Sequence, residues 1–154
     1  MKFSNSPEAV VQRQLEAYNA RDMEAWIATY SEDAQQFEHP NKLLTAGHAE
    51  IKARTAPRFL EPNLFAKLLK RSVMGNVVID HEIVTRDFPE GLGSVELVCI
   101  YEVRDGKIFT ASFVFGTKTV ECETLICDIP TDFLNAQERA QSTTRRDPFE
   151  GWQE

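Results

Sequence analysis

Two histidines occupy positions at which an imidazole could move protons. His39 directly precedes Pro40, and the proline holds the backbone of the preceding residue extended. His81 stands in a segment of alternating polarity where apolar side chains are expected. An imidazole titrates near neutral pH, so either residue could remove a proton beside a carbonyl group. The alternatives are structural: His39 could only cap the end of a strand, and His81 could be a core histidine with satisfied hydrogen bonds.

Two further polar side chains lie on one predicted helix face. A helix should begin near Pro7, with Ser6 as its N-cap. Gln14 and Tyr18 are one turn apart in that helix, so they should face the same space. Both side chains can donate a hydrogen bond to a ligand, although Tyr18 could equally pack with its hydroxyl in water.

The elements that position these residues follow from turn signals and apolar periodicity. Three apolar stretches within 71–115 are separated by the segment 87–93 and by Asp105-Gly106, which predicts a type I′ hairpin. Before them, the pattern predicts helices over 23–30 and 48–60 and strands over 34–38 and 64–72. Asp22 should cap the second helix, and Pro57 should kink or end the third. Helices segregated from antiparallel strands indicate an α+β fold, with three N-terminal helices packed on one curved face of the sheet.

Alternation along the strands predicts which side chains line a pocket. If Cys99 faces inward, every second residue of its strand does too. The predicted inward positions are Leu97, Cys99, Tyr101 and Val103, then Phe109, Ala111, Phe113 and Phe115, and on the preceding strand Ile79, His81, Ile83 and Thr85. Such a wall suits a small, largely apolar ligand held by few polar contacts. The Cys99 thiol has no basic neighbour in the sequence and is interpreted as an inert part of that wall.

The sequence Asp80-His81-Glu82 suggests a metal site at first sight. On a strand, however, the two carboxylates point away from the imidazole and cannot share a metal ion with it. Cys122 and Cys127 are close in sequence, but no histidine or third cysteine lies near them. No metal and no cofactor are therefore predicted.

Length and charge exclude several classes of protein. The 154 residues fit one domain, and the net charge of −7 argues against nucleic-acid binding, which needs a basic face. No apolar run resembles a signal peptide or approaches the length of a membrane span. Three cysteines without a signal peptide indicate a reducing, cytoplasmic location.

The C-terminal segment differs in character from the rest of the chain. Pro130 separates a possible strand from a possible short helix, and the final residues are polar apart from Phe149 and Trp152. We therefore divide the chain into a domain over 1–120 and an extension over 121–154 that packs on the domain or on a partner subunit. The alternative is a frayed terminus.

Five segments of the chain share their pattern and order with one known group of proteins. They are AVVQRQLEAYNARDMEAWIATYSEDA, FEHP, GHAEIKAR, YEVRDGKI and FVFG. Over about Ala9 to Val120, they resemble the ketosteroid isomerase and SnoaL-like branch of the nuclear transport factor 2-like superfamily. The resemblance implies a cone-shaped curved sheet, helices enclosing an apolar pocket, and a homodimer formed through the sheet.

The resemblance also shows a departure at each catalytic position. Ketosteroid isomerases use a general-base aspartate, with a tyrosine and a protonated aspartate as oxyanion donors. The matching positions here are His39, Gln14 and Cys99. The steroid isomerase mechanism is therefore not expected for this chain.

Two function classes follow. The first is a cofactor-independent enzyme that transfers protons on a small apolar carbonyl compound, with His39 as base, Gln14 as donor to the enolate oxygen, and His81 and Tyr18 as polar partners. The second is a non-catalytic ligand-binding or dimerisation module on the same fold. A third possibility, hydrolysis or dehydration of a polar small molecule, would need a wetter pocket than alternation suggests.

Overall fold

The computed structural model describes residues 5–121. Three helices and six strands follow one another in this part of the chain. The helices are α1 (Pro7–Ala20), α2 (Met23–Ile27) and α3 (His48–Phe59). The strands are β1 (Tyr30–Glu38), β2 (Lys42–Ala46), β3 (Phe65–Met74), β4 (Val77–Phe88), β5 (Gly91–Arg104) and β6 (Lys107–Val120). The predictions for the extension, including Cys122, Cys127 and Trp152, lie outside the described residues.

The strands form one sheet in the order β2-β1-β6-β5-β4-β3. Neighbouring strands are antiparallel except for β1 and β6, which pair in parallel. Helices α1 and α3 pack against the sheet, and α2 packs between them. The predicted α+β class with a curved sheet is confirmed; the parallel pair and strand β2 are additions that the sequence pattern did not predict.

Local signals at the helix ends act as expected. The Ser6 side chain accepts a hydrogen bond from the Ala9 amide at 3.2 Å, and Asp22 accepts one from Ala25 at 3.1 Å. Both caps satisfy an amide that has no partner within its helix. Helix α2 ends at Ile27, earlier than predicted, because Tyr30 already belongs to β1.

The Asp105-Gly106 turn between β5 and β6 has positive φ at both residues, 51° and 75°. This is the geometry of the predicted type I′ hairpin, which matches the twist of the two strands. A bulge beside this turn pairs Val103 with Ile108, so Ile108 is buried instead of Phe109. The Phe109 ring lies under the Arg104 guanidinium at 4.1 Å, so its predicted inward orientation is wrong.

The predicted orientation of β5 is confirmed, and that of β4 is wrong. Leu97, Cys99, Tyr101 and Val103 are all less than 9 % exposed. Cys99 pairs with Asp80 across the ladder, and directly paired residues lie on the same face of a sheet. The inward residues of β4 are consequently Val78, Asp80, Glu82, Val84, Arg86 and Phe88. Their neighbours His81, Ile79, Ile83 and Thr85 lie on the outer face.

A short turn explains the error. Phe88 pairs with Gly91, which leaves only Pro89 and Glu90 in the connection. The sequence interpretation treated all of 87–93 as turn and so left the register of the hairpin open. A shift of one residue in the pairing moves every side chain of a strand to the other face of the sheet. The uncertain register therefore led to the wrong set of β4 side chains being assigned to the inner face.

Candidate functional site

A cavity of about 70 Å³ lies between the three helices and the inner face of the sheet. Its aromatic wall consists of Tyr18, Trp26, Tyr30, Tyr101, Phe113 and Phe115. Its polar wall consists of Gln14, Gln36, Arg54, Thr55, Arg58 and Glu82. Because one bound water needs roughly 10–15 Å³ of such space, the cavity can hold several waters or part of a small organic molecule. It is more polar than alternation predicted.

Glu82 is the carboxyl group of this cavity. It is 5 % exposed, and its Oε1 accepts a hydrogen bond from the Cys99 thiol at 3.9 Å. Burial, and then the neighbouring charge of Asp80, raise the pKa of Glu82 from 4.5 to about 8. The positive charge of Arg71 offsets part of this increase. A carboxyl group with a pKa near neutral can both accept and return a proton, as a general acid–base catalyst must.

Asp80 is buried beside Glu82 but has a different environment. Arg71 binds it through two hydrogen bonds, from Nε to Oδ1 at 2.7 Å and from Nη2 to Oδ2 at 2.9 Å. The remaining Arg71 nitrogen, Nη1, donates to Gln12 Oε1 at 2.8 Å. Two parallel bonds of this kind fix a carboxylate in place. Asp80 is therefore held in a structural ion pair with Arg71, whereas Glu82 faces the cavity.

Two buried polar atoms of cavity-lining residues lack a hydrogen-bond partner among the described residues. They are Gln14 Oε1 and Trp26 Nε1, an acceptor and a donor. A buried polar atom without a partner costs about 1–3 kcal/mol, so such atoms are usually satisfied by protein, water or ligand.

The tyrosines of the cavity stay protonated at physiological pH. Burial raises the pKa of Tyr18 to about 12. It raises the pKa of Tyr30 further, although a hydrogen bond from Gln36 acts in the opposite direction. Gln36 is itself held by Thr45, whose hydroxyl donates to Gln36 Oε1 at 3.0 Å. A phenol that remains protonated can donate a hydrogen bond to an oxygen that gains negative charge.

Helix α3 contributes two half-buried arginines to the same cavity. Arg58 Nη1 donates to the Arg54 carbonyl oxygen at 2.9 Å, and the Arg54 guanidinium lies 6.0 Å from the centre of the Phe113 ring. Burial lowers the pKa of both groups, and the charge of Arg54 helps to lower that of Arg58 to about 10. Both remain cationic at neutral pH.

The predicted histidines do not line the cavity. His39 is exposed beyond the end of β1, where its amide donates to the Phe113 carbonyl oxygen at 2.9 Å. His81 binds Glu96 on the outer face of the sheet, with 2.6 Å between Nε2 and Oε2. The predicted inward orientation of His81 is therefore wrong, and His39 is not among the residues that line the cavity wall.

Most of the other predicted site residues do reach the cavity. Its wall includes Gln14, Tyr18, Cys99, Tyr101, Phe113 and Phe115. Ala111 is fully buried on the same face but belongs to the core, where it pairs with Tyr101, and it is not part of the cavity wall. Burial, with the charge of Glu82 as the next cause, raises the pKa of Cys99, so its thiol stays protonated.

Sequence reasoning missed Glu82, Arg54 and Arg58. A two-residue Pro89-Glu90 turn would have placed Glu82 inward, because it fixes the register with Cys99. The arginines follow Ile51, which is fully buried, by three and seven residues. Residues at these spacings lie on the same helix face as Ile51. The sequence therefore also contained a signal that the two arginines face the interior.

Neither a metal-ion site nor a membrane-spanning helix occurs in the described part of the chain. Within residues 5–121, no three His, Cys, Asp or Glu side chains converge as a metal-ion site would require. No helix in that range is long and apolar enough to span a membrane.

Solved structures with the same fold belong to several different functional groups. An uncharacterised cystatin-fold protein from Novosphingobium aromaticivorans is 21% identical, with a TM-score of 0.65 over 70% of this chain and 97% of its own. A putative ketosteroid isomerase from Kribbella flavida is 16% identical, with a TM-score of 0.60 over 72% of this chain and 78% of its own.

An epoxide hydrolase from M. tuberculosis is 16% identical, with a TM-score of 0.59 over 71% of this chain and 82% of its own. At these identities the likeness concerns the fold alone. No curated protein matches the sequence significantly. The SnoaL-like domain model, by contrast, matches residues 11–111, about two thirds of the chain. The chain therefore belongs to the SnoaL-like domain family.

Proposed function

We propose that the protein is a cofactor-independent enzyme that transfers protons beside the carbonyl group of a small molecule, with Glu82 as the acid–base group. The observation that carries this proposal is a buried, titratable Glu82 carboxyl in a cavity that is also lined by the protonated phenol of Tyr18. Glu82 takes the role that the sequence suggested for His39, which is exposed to solvent.

The proposed reaction needs only groups that line the cavity. The ionised Glu82 carboxylate accepts a proton from the carbon beside the carbonyl, and the C–H bonding pair moves to form an enolate. Tyr18 is the candidate donor to the enolate oxygen, since it lines the cavity and its phenol stays protonated. The protonated Glu82 then returns the proton to carbon, at the same or a conjugated position.

Deuterium exchange in D₂O tests this proposal without knowledge of the natural substrate. We expect the protein to exchange protons beside the carbonyl of small ketones and oxo acids, as measured by NMR. The rate should increase with pH and level off above about 8, because Glu82 must lose its proton to act as base.

The control for this profile is His39→Ala, which changes the exposed histidine. It should leave both the rate and its pH dependence unchanged. Loss of exchange in this variant would return the base to His39 and contradict the assignment to Glu82.

A second candidate function at the same site is hydrolysis or dehydration. It is favoured by the polar wall of Glu82, Arg54 and Arg58, which supplies the wetter pocket that such chemistry needs. In hydrolysis, Glu82 would take a proton from a water molecule whose oxygen bonds to the substrate, and would pass that proton to the leaving group as its bond to the substrate breaks. In dehydration, Glu82 would take a proton from one carbon and pass it to the hydroxyl on the neighbouring carbon, which leaves as water. Formation of a hydrolysed or dehydrated product, in place of simple deuterium exchange, would distinguish this reaction in the same NMR experiment.

The non-catalytic alternative would be favoured by a cavity filled by Phe109, Phe113, Phe115 and Trp152. Trp152 lies outside the described residues. Phe113 and Phe115 instead line an open space, and Phe109 lies beside Arg104.

We also propose a homodimer formed through the outer face of the sheet. The family resemblance is the basis of this proposal, and Ile79 and Val114, each 37% exposed, are apolar side chains on this face that a second copy would cover. Sedimentation analysis would test the state, and a monomer at micromolar concentration would contradict it. The cytoplasmic location expected from the cysteines stays a prediction.

A further inference from the structure

We propose that Thr45 is a positioning residue of the cavity, which acts through Gln36 to direct the Tyr30 hydroxyl toward the carbonyl oxygen of the ligand. Tyr30 is then a second donor beside Tyr18. The inference rests on the proposed function for the nature of the ligand group, a carbonyl, and adds how its oxygen is held. Thr45 is not among the described residues that line the cavity, so it acts without touching the ligand.

The first support is the position of three residues on the inner face of the sheet. Tyr30 and Gln36 lie on β1, and both line the cavity. Thr45 lies on β2, where it pairs directly with Gln36, and directly paired residues lie on the same face of a sheet. All three residues are at most 5% exposed. Bulk water therefore does not compete for the hydrogen bonds among them.

The second support is the direction of these hydrogen bonds. The Thr45 hydroxyl donates to Gln36 Oε1, with 3.0 Å between the two oxygens. A side-chain amide carries its oxygen and its nitrogen on one planar group, so a fixed Oε1 also fixes Nε2. Burial raises the pKa of Tyr30, whereas the hydrogen bond from Gln36 lowers it. A bond that the phenol oxygen accepts has this effect, because it stabilises the phenolate. The Gln36 nitrogen is therefore the donor to Tyr30.

The third support is what remains for the Tyr30 hydroxyl to do. A phenol oxygen that accepts from Gln36 keeps its own hydrogen for another acceptor. If the amide were reversed, Gln36 Oε1 would take that hydrogen instead. The charges of Cys99 and Glu82 act on the Tyr30 phenol, after burial and the Gln36 bond in size. The hydroxyl thus lies within electrostatic reach of the acid–base group, where the ligand oxygen gains negative charge.

The experiment observes the ligand carbonyl directly, by NMR of cyclohexanone labelled with ¹³C at that carbon. A hydrogen bond to a carbonyl oxygen withdraws electrons from the carbon and moves its resonance downfield. In the presence of excess protein, the resonance should lie further downfield for the unchanged protein than for Tyr30→Phe. Phenylalanine keeps the ring, whose centre lies 5.0 Å from that of Trp26, and removes only the hydroxyl.

Variants of Thr45 test the positioning role. Thr45→Val has nearly the same shape but no hydroxyl, so it should lose part of the downfield shift. Thr45→Ser keeps the hydroxyl and should restore the shift, which a purely structural role of the threonine methyl group would not do. Thr45→Ala also lacks the hydroxyl and replaces the valine variant if valine does not fit.

Deuterium exchange on the same ketone gives the size of the effect on the reaction. Tyr30→Phe should slow exchange by about 10²–10³-fold, the range for removal of one donor to an oxyanion. Thr45→Val should slow it by about tenfold, the effect of one ordinary hydrogen bond, because the donor is misdirected but still present. Thr45→Ser should exchange at nearly the rate of the unchanged protein.

The matched control is Thr29→Val. Thr29 is also a buried threonine, and its hydroxyl donates to the Trp26 carbonyl oxygen at 2.7 Å. It directly precedes Tyr30 in the chain but is not among the described residues that line the cavity. This variant loses the same hydroxyl from a similar environment and should leave both the resonance and the exchange rate unchanged. Thermal unfolding of every variant would show that it is folded under the conditions used.

The outcomes separate this inference from the proposed function. Equal carbonyl resonances with the unchanged protein and with Tyr30→Phe would overturn the inference, as would equal resonances with Thr45→Val and Thr45→Ser. Exchange that is lost in Glu82→Gln would still support the proposed function in either case. Resonances that move as expected in the Tyr30 and Thr45 variants, together with unchanged exchange in Glu82→Gln, would support the donor arrangement and overturn Glu82 as the base.

Discussion

Glu82→Gln should reduce deuterium exchange by about 10²–10⁴-fold, the range that removal of a general acid–base group typically costs. Glutamine has nearly the same shape as glutamate but cannot accept the proton. Because Glu82 is buried in the cavity wall, the amide should occupy the same space. Exchange rates of both proteins are measured by NMR from pH 5 to pH 10, because this range extends to both sides of the Glu82 pKa of about 8.

The same variant should become more stable than the unchanged protein at alkaline pH. The Glu82 pKa is about 8 in the folded state against 4.5 for an ordinary glutamate, so folding takes up a proton between these values. The stability of the unchanged protein therefore falls as pH rises from about 4.5 to about 8 and then levels off. The loss attributable to Glu82 is on the order of 5 kcal/mol at most. Glu82→Gln removes this loss of stability, because glutamine does not titrate.

Urea unfolding at pH 5 and pH 9 measures this difference. Glu82→Gln should gain stability relative to the unchanged protein only at the higher pH. Glu96→Gln is the matched control, because Glu96 is also on the sheet but lies on the outer face beside His81. A variant in which stability and exchange both remain at the level of the unchanged protein at every pH would contradict the assigned role of Glu82.

Arg71→Met should lower the free energy of unfolding by about 3–5 kcal/mol. This is the second large effect that we expect. The Asp80 side chain is fully buried, and Arg71 binds both of its carboxylate oxygens. Without the guanidinium, the carboxylate is left in the interior with its charge uncompensated. Methionine retains much of the apolar volume of the arginine, so the effect reports the lost charge more than a cavity.

A paired variant separates the charge effect from packing. Arg71→Met combined with Asp80→Leu removes both charges, and buried ion pairs replaced by apolar residues often lose little stability. The double variant should therefore be more stable than Arg71→Met in urea unfolding. Equal stability of the single and double variants would show that the pair is not electrostatically coupled.

Arg71→Met should also move the pH profile of exchange to higher pH. The charge of Arg71 lowers the pKa of Glu82, and that of Asp80 raises it. Removal of the arginine alone therefore favours the protonated form of Glu82. Such a shift would show that the Arg71–Asp80 ion pair affects the pKa of Glu82, its neighbour on the inner face of β4. The ion pair itself makes no contact with substrate in the proposed mechanism.

Local signals predicted much of the fold. Ser6, Asp22 and the Asp105-Gly106 turn act through contacts between near neighbours in sequence, so the residues themselves were sufficient. The orientation of β5 was also predicted correctly, because its alternation follows once Cys99 is taken to face inward. The family resemblance supplied what these signals do not contain, which is how the helices lie on the sheet.

The site was less predictable because it depends on register and burial. The length of the Pro89-Glu90 turn was uncertain by one residue, and this uncertainty placed His81 at the inner face in the prediction, where the structure has Glu82. The high pKa of Glu82 arises from its surroundings in three dimensions, and nothing in the sequence Asp80-His81-Glu82 distinguishes it from an exposed carboxylate. His39 matched a family motif, but the chain turns it outward after β1.

The parallel pairing of β1 with β6 determines when this protein can fold. Gln36 pairs with Ala111, so an early strand is completed by the last strand described. Contacts of such long sequence separation slow folding, since a long loop must close before they form. On the ribosome, the helices and β1 would emerge well before β6 and would have no complete sheet to cover. We expect the nascent chain to acquire its cavity, and with it the buried state of Glu82, only after β6 has left the exit tunnel.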